Sequence, residues 1–339
     1  MKVVTFGEIM LRLCPEGYLR FFQNDRMEAT FGGAEANVAV SLANFGIDSR
    51  YVTKLPDNPV GRGALASLRS FGVDTSEIVF GGDRLGIYFL EKGAAQRGSL
   101  CVYDRAGSAL MKASRDDIDW DKIFEGASWF HFSGITPALS GELVDILMIA
   151  LSKAKERNIT VSCDLNYRSK LWTKAEACAA MSKLCEYVDV LIANEEDVKD
   201  VFGIVPGDSD ITGGKLSAKG FEYQAETLKA RFGFKYIAFT LRGSVSASDN
   251  YWKGVLYDGN KFYYSKEYLI HIVDRVGGGD SFGAGLIYSF LNGKDPSYAI
   301  DFAVAASCLK QTIEGDFNRV SVKEVEKLSG GDASGRVVR

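Results

Sequence analysis

The sequence predicts a doubly wound α/β fold: a mostly parallel sheet with helices on both faces and a small separate β-layer. Two observations carry this. From residue 114 onward, short apolar segments alternate with amphipathic ones, and buried strands joined by helices pair in parallel with both faces covered. Two stretches, 10–33 and 84–112, break the alternation; the second holds "LGIYFLEKG" and "SLCVYDR" with no helix between them. Both read as antiparallel strands that leave the main sheet.

The elements follow in order. "VVTFGEI" is a buried first strand, "AEANVAVSLANFG" a helix, "SRYVTKL" a strand and "VGRGALASLRSFG" a helix. After the second excursion come strand "WFHFSG", helix "GELVDILMIALSKAKERN", strand "TVSCDLN", helix "KAEACAAMSKLCEYV" and strand "VLIAN". The helix "FEYQAETLKARFG" and the strand "YIAFTL" follow a polar, glycine-rich surface loop at 206–220. "LYDGNKFYYS" contains Asp258-Gly259, a hairpin signal, "IVDRV" reads as a strand, and "DSFGAGLIYSFL" reads as a helix. The division predicted is a core of 1–9, 34–83 and 113–328, an accessory layer of 10–33 and 84–112, and a disordered tail at 329–339.

Composition excludes several functions. With 40 Lys+Arg against 44 Asp+Glu, a net charge of −4 and no polybasic run, neither nucleic acid nor an anionic membrane is an expected partner. No uninterrupted apolar stretch of about 18 residues offers a membrane span. The six cysteines are scattered without a C-x-x-C pair, the pattern of reduced thiols in the cytoplasm. His131 and His271 sit in apolar segments and read as core residues. No H-E-x-x-H or G-x-S-x-G motif occurs.

The chemistry is expected at "DRVGGGDSFGAGL", 274–286. Each glycine inside a helix costs about 1 kcal/mol relative to alanine, so such a run marks a place where something approaches the backbone. The turn Gly277-Gly278-Gly279 precedes a helix whose first N–H groups lack intrahelical partners and carry the positive end of the dipole, a natural seat for phosphate. Asp280, at the helix start, reads either as an N-cap or as a catalytic acid. The dinucleotide fingerprint fails because position 282 is Phe282, and the P-loop fails because Ala284 follows Gly283; a nicotinamide enzyme is thereby disfavoured.

"DRVGGGDSFGAG" resembles the C-terminal signature of the ribokinase-like (PfkB) carbohydrate kinases, D-T-x-G-A-G-D-x-F, departing at Arg275 and Gly278. The resemblance implies that Asp280 takes the proton from the substrate hydroxyl while the amides of Gly277, Gly278, Gly279 and Asp280 form an anion hole. "FGGAEANVA" is similar to the family's N-terminal signature through Gly32, Gly33 and Asn37, which then face the sugar; without that match Asn37 is a polar residue in an apolar helix. "VLIANEEDV" resembles the N-x-x-E element, with Asn194 on nucleotide and Asp197, in place of glutamate, acting on magnesium indirectly. An acidic helix start stabilised by the dipole is the plain alternative. In "FTLRGSVSA", Arg242 and Gly243 occupy the nucleotide-contact position, where Arg242 reaches a phosphate or is simply solvated. The accessory strands match the family's lid, which excludes water and often pairs with a second subunit's lid. ATP and Mg2+ are the implied cofactors, with a monovalent cation left open.

Tyr88, Tyr103 and Arg105 on the lid, and Arg168 in "CDLNYRSKLW", offer guanidiniums suited to a carboxylate; ordinary surface ion pairs are the alternative reading. Within the family this set is similar to 2-keto-3-deoxygluconate kinases, to which Asp316 in "EGDFNRV" also corresponds. The implied reaction is ATP-dependent phosphorylation of the terminal hydroxyl of that sugar acid. The rivals are a fructokinase or ribokinase, or a non-catalytic sugar-acid-binding protein on the same fold.

Overall fold

A computed structural model of the chain describes residues 1–205, 218–332 and 335. The main part of the loop read at 206–220 and most of the tail beyond Asp332 lie outside the described residues.

Nine strands form the main sheet. Across it run Phe262–Tyr264, Asp249–Tyr257, Tyr236–Ser244, Val190–Ala193, Thr160–Asp164, Ala127–Ser133, Lys2–Phe6 and Asp48–Val52, with Tyr268–His271 also on Asp249–Tyr257. From Tyr236–Ser244 to Asp48–Val52 every pairing is parallel; the far edge is antiparallel. The central strand Val190–Ala193 is buried at all its positions, as a strand covered on both faces must be. One face carries Gly141–Glu156, Lys174–Leu184, Glu195–Phe202 and Ala218–Phe232 over Phe130, Phe132, Leu191 and Phe239. The other carries Ala34–Asn44, Gly278–Leu291 and Pro296–Lys310, which meet through Val38, Leu42, Ile287 and Phe302. Helix starts are fixed locally: Thr173 and Glu176 make a reciprocal capping box, and Asp295 caps a helix that opens with Pro296.

The small sheet has four strands, ordered Glu28–Gly32, Met10–Cys14, Gly86–Glu91 and Leu100–Asp104. Two of its pairings are antiparallel, but Met10–Cys14 and Gly86–Glu91 run parallel, contrary to the expectation. Each opens one of the two excursions, so both run outward from the core with Met10 opposite Gly86.

The hairpin at Asp258 forms as expected: its side chain accepts from the N–H groups of Asn260 (2.8 Å) and Lys261 (2.7 Å). "IVDRV" is not a strand. The ladder ends at His271, and the N–H groups of Val273 and Asp274 donate instead to Gln311 O at 2.9 and 3.1 Å. Of the two histidines, His131 is buried against Ser162. His271 is exposed and paired with Asp249, because its edge strand has one open face. No helix among the described residues is long and apolar enough to cross a membrane.

Candidate active site

At the carboxyl ends of the parallel strands, where open α/β sheets bind ligands, lies a cavity of about 440 Å³ roofed by the small sheet. Its floor is the glycine turn. Gly277 adopts the left-handed conformation at φ 83°, and a Cβ there would come within 2.1 Å of Asp316 O, so only glycine fits. Gly279 faces open space. The N–H groups of Gly277, Gly279 and Asp280 meet no acceptor among the described residues, whereas Gly278 N–H closes a turn onto Arg275 O at 3.3 Å. Gly278 also packs on Gln311 and is absent from the cavity wall. Three amides, not four, are therefore free to receive an anion.

Asp280 lines the same floor. Its Oδ2 accepts from Asn37 Nδ2 at 2.6 Å, while Asn37 Oδ1 accepts from Gly33 N–H at 3.3 Å. Asn37 lines the cavity and also orients the acid. Desolvation pushes the Asp280 carboxyl up to about 7; the Asn37 hydrogen bond and the charge of Arg168 oppose this, and those of Asp316 and Glu35 add to it. The acid is thereby matched to proton transfer near neutrality. Because the Asn37 bond favours the ionised form, Asn37→Ala is expected to move the acidic limb of the kcat/KM profile upward by about 0.5–1 pH unit, as read from a pH–rate series between pH 5 and 9.

At one end of the cavity stand Thr240, Arg242, Trp252 and Arg275. Arg275, a departure from the family pattern, is half-buried and donates to Ala247 O at 3.1 Å; burial and then the charge of Arg242 lower its pKa. Two neighbouring guanidiniums with free amides beside them suit a polyphosphate. Gly243 lies outside the lining, its Cβ position 3.2 Å from Tyr251; its strand turns that residue away from the cavity. Asn194 caps the helix Glu195–Phe202, accepting from Asp197 N–H and donating to Asp197 Oδ2, each at 2.8 Å. Both line the cavity, and burial pushes the Asp197 carboxyl up to about 7. The capping role is realised, with the Asp197 carboxylate still on the wall. No group of three or more His, Cys, Asp or Glu suited to a metal exists among the described residues. Asp164 and Asp197 are carboxyl groups on the cavity wall that could hold a magnesium ion, directly or through its water.

The other end is built under the small sheet. Tyr88 and Tyr103 are cross-strand partners with ring centroids 6.0 Å apart. Tyr88 donates to Asp316 Oδ1 at 2.5 Å, and Arg12 Nη1 donates to the same oxygen at 2.8 Å. Arg12 also pairs with Asp274. Gly32 does not reach the cavity: the Asp316 carboxylate fills the place of its Cβ, 2.0 Å away. Gly33 does line it, and a side chain there would strike Glu8 O at 2.0 Å.

Arg105 lies one residue past the strand Leu100–Asp104 and is buried. Its Nε donates to Glu8 Oε2 at 2.8 Å, its Nη2 joins the same oxygen, and Ser108 takes the other. Glu8 was not legible as a partner, although an acid two positions past a buried strand was a usable signal. Arg168 is exposed on the cavity wall and makes no side-chain hydrogen bond or ion pair among the described residues. Its charge reaches Asp164, Asp197 and Asp280. It is the uncommitted cation on the Asp280 side.

A family model described as pfkB family carbohydrate kinase matches residues 1–236 and 242–319. The chain is 35% identical over 333 residues to a 2-dehydro-3-deoxygalactonokinase of Haloferax volcanii, covering 98% of each. It is 28% identical over 338 residues to a 2-dehydro-3-deoxygluconokinase of Thermoproteus tenax, covering 97% of this chain and 94% of that one. Among solved structures, that of a 2-dehydro-3-deoxygluconokinase from Thermotoga maritima superposes with a TM-score of 0.94 at 54% identity, covering 98% of both chains.

Proposed function

The chain belongs to the pfkB family of carbohydrate kinases, and we propose that it transfers the terminal phosphoryl group of ATP to the terminal primary hydroxyl of a sugar acid, 2-keto-3-deoxygluconate, yielding the 6-phosphate. The observation that carries the substrate is Arg168: an unpaired guanidinium, among the described residues, on the wall of the cavity that Asp280, Tyr88 and Tyr103 also line. A neutral sugar has no use for that charge, whereas a carboxylate takes it bidentately. The names of the Haloferax, Thermoproteus and Thermotoga relatives agree with a keto-deoxy sugar acid.

Asp280 accepts the hydroxyl proton as the nucleophile advances, which a loose transition state permits late. The free amides of Gly277, Gly279 and Asp280 receive the equatorial oxygens of the moving group. ATP supplies that group and magnesium offsets its charge. Arg242 and Arg275 hold the phosphate chain, and the Arg105–Glu8 pair fixes the lid strand over the sugar. Asp316, already held by Arg12 and Tyr88, keeps one oxygen for a sugar hydroxyl. The lid strand Leu100–Asp104 exposes Leu100 and Val102 on the face opposite Tyr103, and there we place homo-oligomer contact.

An ADP-release assay on 2-keto-3-deoxygluconate, its galactonate epimer, fructose and ribose tests this reading. Faster turnover of a neutral sugar would overturn the substrate and leave the kinase intact. Arg168→Ala is expected to raise KM for the sugar acid about 10–100-fold, the loss of a charge-assisted pair, with little change for fructose; equal effects on both would remove the carboxylate role. A protein that binds the acid and releases no ADP would favour the non-catalytic reading.

A further inference from the structure

Lys310, the last residue of its helix, is entirely buried. A side chain this long and charged is seldom enclosed unless its charge is answered. The answer here is three backbone carbonyls: Gly315 O at 2.6 Å, Asp274 O at 3.2 Å and Ile313 O at 3.4 Å from Nζ. No carboxylate pairs with it directly. Burial lowers its pKa, with the charge of Arg12 adding to this, while Asp274, Asp316 and Asp280 favour the ammonium.

The position matters more than the burial. Asp274 opens the segment that runs into the glycine turn, and Gly315 precedes Asp316 on the sugar side. A Cβ on Gly277 would lie 3.2 Å from Lys310 Cε, so the side chain passes directly behind the turn. Lys310 does not line the cavity. A lysine that merely capped its own helix would need neither full enclosure nor an acceptor 36 positions away.

We propose that Lys310 is a built-in monovalent cation, whose ammonium clasps the Asp274 and Gly315 segments and supplies fixed positive charge behind the amides that receive the phosphoryl group. Converging carbonyl oxygens are the ligand set that a bare alkali cation takes. An ammonium tethered to the chain occupies such a set permanently, so the reaction needs no ion from solution. Lys310 is thus a positioning residue, acting through the turn and its electrostatics.

The inference rests on the kinase reading. Rates are to be read with whichever sugar the wild type turns over fastest, so a wrong substrate leaves the test intact; a wild type that phosphorylates none counts against the function instead. Lys310→Met removes the charge and keeps the length. In choline buffer its kcat is expected to fall about 10–100-fold, on the scale of losing one transition-state electrostatic element, with KM for the sugar nearly unchanged. Potassium or ammonium chloride should then restore it several-fold, where choline chloride does not. A kcat within twofold of wild type, or a low kcat indifferent to the cation, would overturn the proposal. Should the variant fail to fold, the wild type decides: equal rates in potassium and choline at matched ionic strength support an internal cation, and several-fold activation by potassium refutes it.

Discussion

Asp280→Asn is expected to lower kcat by about 10³-fold, within the range that a positioned general base contributes, and to leave sugar-acid binding by calorimetry within a few-fold of wild type. Asparagine keeps the size and the contact with Asn37 but cannot accept the hydroxyl proton. The same variant carries a stability signature. The folded carboxyl titrates at about 7, raised by desolvation, against about 3.9 in an unfolded chain. A raised pKa means that the folded state binds the proton more tightly. Its stabilisation is complete below the unfolded value and is lost as pH rises through the folded one. Asp280→Asn should therefore gain on the wild type between pH 4 and 7, reach a plateau above 7, and melt several degrees higher at pH 8. A gain on the order of 2 kcal/mol is reasonable, since one pKa unit is about 1.4 kcal/mol and the group is partly open to the cavity. Retained kcat would remove the base; a pH-independent difference in melting would remove the desolvation.

Arg12→Leu is the second large effect. Arg12 is 2% exposed and joins the small sheet to Asp274, ahead of the glycine turn, and to Asp316, beside the sugar. Removing it takes the paired cation from two buried carboxylates, leaving Asp316 the Tyr88 hydroxyl and Asp274 the N–H groups of Val276 and Gly315. Breaking a buried pair in this way costs about 3–5 kcal/mol. At roughly 1.4 °C per kcal/mol for a chain of 339 residues, the melting temperature should fall by about 4–7 °C in scanning calorimetry. Salt should change this little, because buried charges are weakly screened. A fall under 2 °C would mean that the lid is not tied down through this residue.

The alternation of apolar and amphipathic segments made the parallel core legible, and the glycine run made the anion turn legible, because both are local signals. What the sequence withheld depends on docking. Asn37 reads as a polar residue in an apolar helix, and only the packing of Ala34–Asn44 against Gly278–Leu291 turns it onto Asp280. Arg105 reads as a free cation until Glu8, 97 positions earlier, is brought beneath it. The segment 272–276 has the composition of a strand, yet no neighbouring strand is left for it to pair with, and Gln311 takes its N–H groups instead. Gly32 has the motif position of a ligand contact, but the Asp316 carboxylate occupies the space that its missing side chain leaves.

The bond between Asn37 and Asp280 spans 243 positions, and that distance has a meaning during translation. A nascent chain folds its N-terminal parts first, so the strands of the small sheet, Arg168 and most of the main sheet have emerged before Asp280 is synthesised. Closing so long a loop also comes late in folding, since its entropy is lost before the contact rewards it. If Asp280 is the base proposed above, unfinished and truncated chains are expected to transfer no phosphoryl group until the last helices have docked.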